Sequence, residues 1–337
     1  MSKTNPPLIS GQNLRKYFPV RGGAFGLGKQ FVHAVDGVSF EVAAGETLGI
    51  VGESGCGKST LARLLVGLIG VDQGTINYDG AELGRDLSNQ ALQRGVQMVF
   101  QDSYASLNPR LTIAESIAFG PQVQGLDDPQ GRALRLMGRV GLDPDRFAAR
   151  YPHELSGGQR QRVNIARALA MSPRVVVLDE AVSALDKSVE AQVLNLLSDL
   201  REEFGLTYIF ISHDLNVVRY ISDRVLVMYL GEVVEVGPVD AIYANQAHPY
   251  TASLFASMPS MDPANRTTEP PLTGDPPNPI NPPSGCRFHT RCRFAQSICS
   301  AERPALKPLS GDQDHMAACH ILDPASGHSL AKAQVPA

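Results

Sequence analysis

The sequence GESGCGKST occupies residues 52–60, directly after the short apolar run LGIV and directly before the helical pattern LARLLVGLI. A glycine-rich loop that joins a buried strand to a helix is the context that phosphate binding requires. Glycines let the backbone wrap closely around an anion and turn its N–H groups inward, and the helix adds the positive end of its dipole. The predicted phosphate-binding residues are Gly52, Glu53, Ser54, Gly55, Cys56, Gly57, Lys58, Ser59 and Thr60.

A second motif, VVVLDE at residues 175–180, supplies the chemistry that such a loop lacks. Asp179 ends an apolar run, where a carboxylate is costly unless it engages a cation or hydrogen bonds. We expect Asp179 and Ser59 to hold Mg²⁺, Lys58 to reach the β- and γ-phosphates of a nucleotide, and Glu180 to polarise the attacking water. Two adjacent acids at a strand end can also be ordinary helix N-terminal acids, but beside a phosphate-binding loop the catalytic interpretation is favoured.

The apolar runs TLGIVG, RVVVLDEA and LTYIFISHD are each followed by a helical pattern. Continuous apolar strands that alternate with helices predict an α/β fold, with a parallel sheet covered on both faces. The run RVLVMYLGEVVEVG instead predicts a β-hairpin turned by Gly231. From Thr267 the chain is proline-rich, which predicts an extended strap rather than a helix or strand.

These patterns predict two domains in the 337-residue chain. Residues 1–257 form a nucleotide-binding domain with a helical subdomain at about 105–165, and residues 258–337 form the proline-rich strap and a cysteine-rich domain. The net charge of −4 gives no reason to expect nucleic acid as a partner. The first residues lack a signal-peptide pattern, and no run approaches the ~20 apolar residues that span a bilayer. We therefore expect a cytosolic chain whose membrane role is played through partners.

The stretch LSGGQRQRVNIARAL, which begins at Leu155, contains a second anion-binding pattern. Ser156 can cap a helix, and Gly157 and Gly158 permit close backbone approach to an anion. This stretch, with Gln159, resembles the signature of ATP-binding-cassette (ABC) ATPases. In that family the signature of one subunit closes over the γ-phosphate of ATP bound by the other, so the resemblance implies a second ATPase subunit. It also implies the family's small antiparallel β subdomain and inserted helical subdomain.

Further family marks follow in sequence order over residues 8–257. Gln101 in VFQDSY resembles the Q-loop glutamine that touches Mg²⁺. Asp186 in SALD resembles the D-loop residue at the dimer interface, and His213 in ISHD resembles the histidine that contacts the γ-phosphate. Tyr17 in LRKYFPV resembles the aromatic residue that stacks on adenine, although Phe18 and Phe31 are nearby competitors. The chain departs from the family at one position, since Ala181 follows the catalytic glutamate where proline is usual.

The interval between the two phosphate-binding motifs is compact and lacks sustained heptads, and only one cassette is present, which favours transport over DNA repair or translation. The stretch QDSYASLNPRLTI and the box AHPYTASLFASMP from Ala247 resemble the ATPases of bacterial dipeptide and oligopeptide importers. Of the two ATPase subunits in such an importer, the chain resembles the one designated F-type rather than its D-type partner. The resemblance implies ATP-driven peptide import at the cytoplasmic face of the inner membrane. The implied partners are a second ATPase, two permeases and an extracytoplasmic peptide-binding protein. The alternatives are nickel or glutathione import, a soluble ABC ATPase acting on nucleic acid or the ribosome, and a metal or redox regulator.

Four of the five cysteines, Cys286, Cys292, Cys299 and Cys319, lie close together in the tail. A reducing cytosol disfavours disulfides, and four thiolates can hold zinc or an iron–sulfur cluster. The spacing fits neither paired zinc knuckles nor the common ferredoxin runs, and His289 or His320 could replace a cysteine at a zinc site. The resemblance to peptide-importer ATPases implies a [4Fe–4S] cluster, with Zn²⁺ and unliganded thiols as alternatives.

Overall fold

The computed structural model describes residues 6–20, 30–258 and 274–331. Five parallel strands form the centre of its main sheet, in the order β9-β3-β8-β7-β6. They are β3 (Thr47–Val51), β6 (Val96–Val99), β7 (Val175–Asp179), β8 (Thr207–Ile211) and β9 (Arg224–Tyr229). Three of them, β3, β7 and β8, are buried along their whole length, as expected of strands covered on both faces. The predicted parallel α/β sheet is confirmed.

Antiparallel strands extend the main sheet beyond β9. Strand β10 (Glu232–Pro238) pairs with β9 through a tight turn at Leu230 and Gly231, and Gly231 has a φ of 82°. The predicted hairpin at Gly231 is therefore confirmed. Next to β10 lie β12 (Asp312–Ala317) and β11 (Lys307–Leu309), which come from the C-terminal tail. The tail thus adds two strands to the sheet that carries the phosphate-binding loop.

A second sheet of four antiparallel strands, in the order β2-β1-β4-β5, forms the small β subdomain. Its members are β1 (Ile9–Val20), β2 (Gln30–Val42), β4 (Gln73–Tyr78) and β5 (Ala81–Glu82). The long pair β1–β2 has register shifts, one of them between Lys16 and Tyr17, which alter the side-chain alternation. Buried Ile9, Leu14, Val38 and Phe40 pack in one core with the helix that follows the phosphate-binding loop.

Helices cover the main sheet and form a separate group between β6 and β7. The group contains α3 (Ile113–Val123), α4 (Pro129–Arg139), α5 (Pro144–Phe147) and α6 (Gly157–Leu169), and α3, α4 and α6 contact one another. Thr112 and Glu115 form a capping box that fixes the start of α3. The remaining helices are α1 (Lys58–Leu65), α2 (Asn89–Gly95), α7 (Lys187–Phe204), α8 (Leu215–Ile221), α9 (Val239–Ala244) and α10 (Pro249–Ala256).

Within residues 274–331 the tail contains one short α-helix, α11 (Ser297–Ala301), two single-turn 3₁₀ helices and the two strands. Part of the predicted proline-rich strap lies outside the described residues, and residues 274–284 contain neither helix nor strand. Pro279 accepts a hydrogen bond from the backbone N–H of His33 at 3.0 Å, so this part of the strap lies against β2. The two-domain boundary at residue 257 remains a prediction. Within the described ranges, no helix has the length and apolar character needed to cross a membrane.

Candidate nucleotide-binding site

The glycine-rich loop at residues 52–57 joins the end of β3 to the start of α1. Gly52 has a φ of 150° and Gly57 a φ of 110°. A side chain at Gly52 would collide with the carbonyl oxygen of Met228, and one at Gly57 with that of Ala34. Glycine is therefore required at both positions, because the loop turns sharply and lies against neighbouring backbone.

Lys58 is buried at the start of α1, and its ammonium group lies inside the loop. Its Nζ donates hydrogen bonds to the carbonyl oxygens of Gly52 at 2.7 Å and Glu53 at 3.0 Å. A lysine held at the centre of an N–H-rich loop can move onto the oxygens of a bound phosphate. The thiol of Cys56 is 3.7 Å from the same Nζ, and burial raises the pKa of Cys56, so this thiol stays protonated at neutral pH.

Ser59 and Asp179 meet beside the loop, and the hydroxyl of Ser59 donates to Oδ1 of Asp179 at 3.0 Å. Burial raises the pKa of Asp179, and the neighbouring charge of Glu180 raises it further. A buried carboxylate of this kind is stabilised by a cation, and oxygen ligands suit Mg²⁺. The donor set therefore fits the magnesium ion that the sequence predicts.

Glu180 lies one residue beyond β7 in a left-handed conformation, with a φ of 49°. Its N–H is held by the carbonyl oxygen of Ile211 at 2.9 Å, which turns the side chain out over the loop. Gln101 donates from Nε2 to Oε2 of Glu180 at 2.8 Å, and Nδ1 of His213 lies 3.5 Å from the same oxygen. The side chains of Gln101 and His213 thus meet at the carboxylate of Glu180, although the three residues were predicted from separate stretches of sequence.

These side chains line a cleft of about 470 Å³ together with the phosphate-binding loop. The cleft contains Lys58, Ser59, Gln101, Glu180 and His213. His213 is open to solvent, with 61% of its side chain exposed. The arrangement places a cation, a metal-binding pair, and a carboxylate with two hydrogen-bonding neighbours around one space, as ATP hydrolysis requires.

The predicted signature lies outside this cleft. Ser156 caps α6 through a capping box with Gln159, in which each side chain accepts a hydrogen bond from the other residue's backbone N–H. A side chain at Gly158 would come within 2.5 Å of Val189, so the start of α6 packs closely on α7. Asp186 lies at the N-terminus of α7 without a side-chain capping bond. Within one chain, neither Ser156–Gln159 nor Asp186 lines the space around Lys58.

Tyr17 and Phe18 occupy different surroundings. The ring of Tyr17 stacks on His33 at 4.2 Å, and its hydroxyl donates to Asp36 at 2.7 Å. Phe18, 38% exposed and paired with Val32 across the sheet, lines the cleft with the phosphate-binding loop. The geometry therefore favours Phe18 over Tyr17 as the aromatic side chain that faces a bound nucleotide.

The four tail cysteines surround a single cavity of about 10 Å³. Burial raises the pKa of Cys286 to about 12 and that of Cys319 to about 11, and the pKa of Cys292 is raised for the same reason. In the parts of the chain that the structure describes, no group of three or more histidine, cysteine or acidic side chains is arranged to hold a metal ion. The structure thus gathers the four predicted ligands in one place, where burial favours the neutral thiols of Cys286, Cys292 and Cys319 through their raised pKa values.

Sequence reasoning missed two residues that contact the phosphate-binding loop from the tail side. Arg291 forms an ion pair with Glu53 at 2.7 Å, and the hydroxyl of Tyr250 accepts a hydrogen bond from the N–H of Glu53 at 2.8 Å. One signal was available: an acidic residue in a loop that binds phosphates needs a cationic partner. The identity of that partner, 238 residues away, was not readable from local sequence.

Comparison with known proteins agrees with this geometry. Residues 35–183 match the ABC transporter family, and residues 234–299 match the C-terminal region of oligopeptide/dipeptide transporters. A probable peptide ABC transporter ATP-binding protein of Sinorhizobium fredii is 50% identical over 95% of this chain and 91% of its own length. The oligopeptide transport ATP-binding proteins AppF of Bacillus subtilis and OppF of Escherichia coli are 47% and 46% identical, covering 93% and 94% of this chain and 97% of each relative.

Among solved structures, the ATP-binding cassette MJ0796, a dimer bound to ADP and phosphate, aligns with a TM-score of 0.60 and 31% identity. The alignment covers 68% of this chain and 98% of that one. CbiO1 of Clostridium perfringens aligns with a TM-score of 0.61 and 27% identity over 74% of this chain and 96% of that one. Fold and site together define an ABC-type ATPase. More narrowly, the chain belongs to the family of ATP-binding subunits of oligopeptide and dipeptide ABC transporters.

Proposed function

We propose that this chain binds and hydrolyses ATP to power the import of dipeptides and oligopeptides through an ABC transporter. The observation that carries the ATPase activity is the meeting of Gln101, Glu180 and His213 opposite Lys58 and Ser59 in one cleft. The peptide cargo is supported by relatives that are themselves named oligopeptide or dipeptide transport ATP-binding proteins. No feature of the described residues favours nickel, glutathione or nucleic acid.

In the proposed reaction each residue has a separate task. Lys58 leaves the loop carbonyls and pairs with the β- and γ-phosphates, while Ser59 and Asp179 hold the metal. Mg²⁺ held by these two residues would supply positive charge next to the transferring phosphoryl group. Glu180 orients and polarises the attacking water, and His213 stabilises the charge on the γ-phosphate. Gln101, which bonds Glu180 through its amide, links this carboxylate to the segment that follows β6.

A second ATPase subunit completes the site in this proposal. Ser156, Gly157, Gly158 and Gln159 form a helix N-terminus suited to phosphate, yet they lie outside the cleft of their own chain. A facing subunit would bring the same element over the ATP held here, with Asp186 at the contact. We infer a heterodimer with a related ATPase.

The groove between β6 and α3 is the proposed contact with a permease. It has a volume of about 420 Å³ and is lined by apolar side chains, among them Leu68, Phe119 and Val123, which are 51%, 57% and 66% exposed. Phe100 lines the same groove, and the next residue, Gln101, bonds Glu180. An apolar helix of a permease seated there would therefore press on the segment that carries Gln101. We place the chain at the cytoplasmic face of the inner membrane, with two permeases and an extracytoplasmic peptide-binding protein.

For the tail we propose a [4Fe–4S] cluster held by Cys286, Cys292, Cys299 and Cys319. Its support is that all four thiols line one cavity. Because burial raises the pKa of Cys286, Cys292 and Cys319, these thiols ionise more readily when a soft metal centre compensates the charge. Iron and sulfide analysis of anaerobically purified protein, with its visible absorption spectrum, tests this directly. A colourless protein with stoichiometric zinc would replace the cluster by Zn²⁺.

Transport of labelled peptides tests the function as a whole. The chain is reconstituted in vesicles with its second ATPase, two permeases and binding protein, and ATP-dependent uptake of a labelled dipeptide and a labelled pentapeptide is measured. Substitution of Lys58 by alanine is the matched control, because it leaves the assembly but removes the phosphate contact. Uptake of nickel or glutathione without uptake of peptide would overturn the proposed cargo.

A further inference from the structure

The C-terminal tail reaches the phosphate-binding loop through a buried ion pair. Nη1 and Nη2 of Arg291 donate to the two carboxylate oxygens of Glu53 at 2.7 and 3.1 Å. The Arg291 side chain is 6% exposed and that of Glu53 is 21% exposed. Two parallel charge-assisted hydrogen bonds of this kind fix orientation as well as charge. A guanidinium stays charged in proteins, so the contact is an ion pair as well as a pair of hydrogen bonds.

A second contact from outside the loop holds the backbone of the same residue. The hydroxyl of Tyr250 accepts the Glu53 N–H at 2.8 Å. Tyr250 follows His248 and Pro249, and its N–H is capped by Nδ1 of His248 at 3.0 Å, which fixes the start of α10. Its ring packs against Tyr229 at 4.6 Å, and Arg291 lies over that same Tyr229 ring. Side chain and backbone of Glu53 are thus both held from beyond the nucleotide-binding motifs.

The charge of Glu53 gives these contacts a consequence for ATP. A carboxylate in a loop that grips a polyanion repels the ligand, and at short range in a partly buried site this repulsion is substantial. Arg291 neutralises the Glu53 carboxylate, while Lys58 Nζ bonds the carbonyl oxygens of Gly52 and Glu53 and not that carboxylate. With Glu53 neutralised, the positive charge of Lys58 remains available to attract phosphate.

We propose that Arg291 and Tyr250 are positioning residues for the phosphate-binding loop, which set the affinity for ATP without contacting the nucleotide. The proposal rests on the ATP binding proposed above. It also links the cysteine site to ATP, because Arg291 directly precedes Cys292 in the segment that starts at Cys286. Whatever anchors those cysteines therefore also holds the arginine against Glu53.

The test uses equilibrium binding of the fluorescent analogue trinitrophenyl-ATP to the full chain. Arg291→Met keeps the apolar bulk against Tyr229 but leaves Glu53 unpaired, and we expect its affinity to fall about tenfold. Glu53→Gln in the same chain removes the repelling charge, so the double variant should regain an affinity within about threefold of Glu53→Gln alone. Arg291→Lys should recover most of the loss, since it restores the charge.

The matched control is Lys307→Ala, which breaks a tail ion pair with Asp323 that does not touch the loop. Its affinity should equal that of the wild type. Tyr250→Phe removes only the acceptor for the Glu53 N–H, so KM for ATP should rise about threefold while kcat changes little. Thermal unfolding of every variant reports on the fold.

Two results would overturn the positioning role while leaving the proposed ATPase function intact. One is an Arg291→Met variant that binds the analogue as tightly as the wild type. The other is a loss of affinity that Glu53→Gln does not restore, which would assign Arg291 a purely structural role. If the wild type itself fails to bind ATP analogues while folded, the proposed ATPase function falls, and the positioning role falls with it. If the wild type binds and Lys58→Ala does not, the ATPase proposal stands whatever Arg291→Met shows.

Discussion

The nucleotide cleft and the cysteine cavity differ in volume, in exposure to solvent and in the side chains that line them. The cleft has a volume of about 470 Å³ and lies at the ends of parallel strands, with polar side chains facing solvent. The cavity has about 10 Å³ and is enclosed by short segments of the tail together with His248 and Pro249, and its cysteines are buried or half-buried. An open polar cleft suits a ligand that enters and leaves in each cycle, whereas an enclosed thiol cavity suits a group that stays. We therefore assign turnover to the cleft and anchoring to the cavity.

The largest expected effect falls on the cleft alone. Glu180→Gln removes the group that polarises water but keeps its shape and its contact with Gln101, so ATP turnover should fall by ~10²–10⁴-fold while ATP still binds. Steady-state phosphate release from the assembled transporter, beside equilibrium ATP binding, measures both quantities. The iron and zinc content measured for this variant should equal that of the wild type. Near-normal turnover would exclude Glu180 from this role.

The next largest effect concerns the contact between β2, which carries Asp36, and the tail, which carries Arg287. Asp36 accepts a hydrogen bond from Tyr17 and forms an ion pair with Arg287 of the tail. Although burial acts to raise the pKa of Asp36, the Tyr17 hydrogen bond and the charges of Arg287 and Arg303 together lower it. Asp36→Asn should therefore lower the free energy of unfolding by about 3 kcal/mol at pH 7, because Arg287 loses a buried partner.

The pH dependence of this difference has a definite sign. A carboxyl whose pKa is lowered by folding stabilises the protein above its ordinary pKa near 4, and this stabilisation is lost as the pH falls through the lower value. The contribution of the Asp36 charge to the difference between wild type and Asp36→Asn should be lost only below about pH 4. The difference should also change near pH 7, because Glu232 shares Arg287 with Asp36 and burial raises the pKa of Glu232 to about 7. Urea unfolding from about pH 3 to 8 measures both changes, and a difference that persists unchanged below about pH 3 would contradict the role of the Asp36 charge.

The smallest expected effect identifies which aromatic side chain contacts the nucleotide in the cleft. Phe18→Ala should raise KM for ATP about tenfold, because stacking of a base on an aromatic ring contributes ~1–3 kcal/mol. Tyr17→Phe, which keeps the ring on His33 and removes only the bond to Asp36, should leave KM within about twofold. Steady-state ATPase assays of both variants decide between the two aromatic residues. The reverse order of effects would restore Tyr17 to the adenine contact.

The sequence allowed good prediction wherever function resides in a short contiguous motif. The structure brings Lys58, Ser59 and Asp179 together because the loop and the helix start are adjacent along the chain, and because β3 and β7, on either side of β8, end at the same edge of the sheet. The surroundings of Tyr17 were harder to predict, because a register shift between Lys16 and Tyr17 changes which side chain faces the cleft. A bulge depends on the pairing of two strands, and a single strand's sequence does not reveal it.

Long-range contacts were the other gap. The pair Arg291–Glu53 joins residues far apart in the chain, and the tail strands β11 and β12 find their places only beside β10. Composition identified the tail as proline-rich and cysteine-rich but said nothing of where it docks. Such docking is decided by complementary buried charges and an open sheet edge, which exist only after the core has folded.

The position of β12 at the sheet has a consequence for biosynthesis. Strand β10 (Glu232–Pro238) leaves the ribosome long before β12 (Asp312–Ala317), and until then its outer backbone groups have no strand to pair with. A polypeptide released before residue 312 would expose that edge. It would also lack β12, which attaches to β10 the tail that carries Arg291. Nonsense truncations late in the reading frame should therefore yield aggregating or degraded protein rather than a working ATPase without a tail.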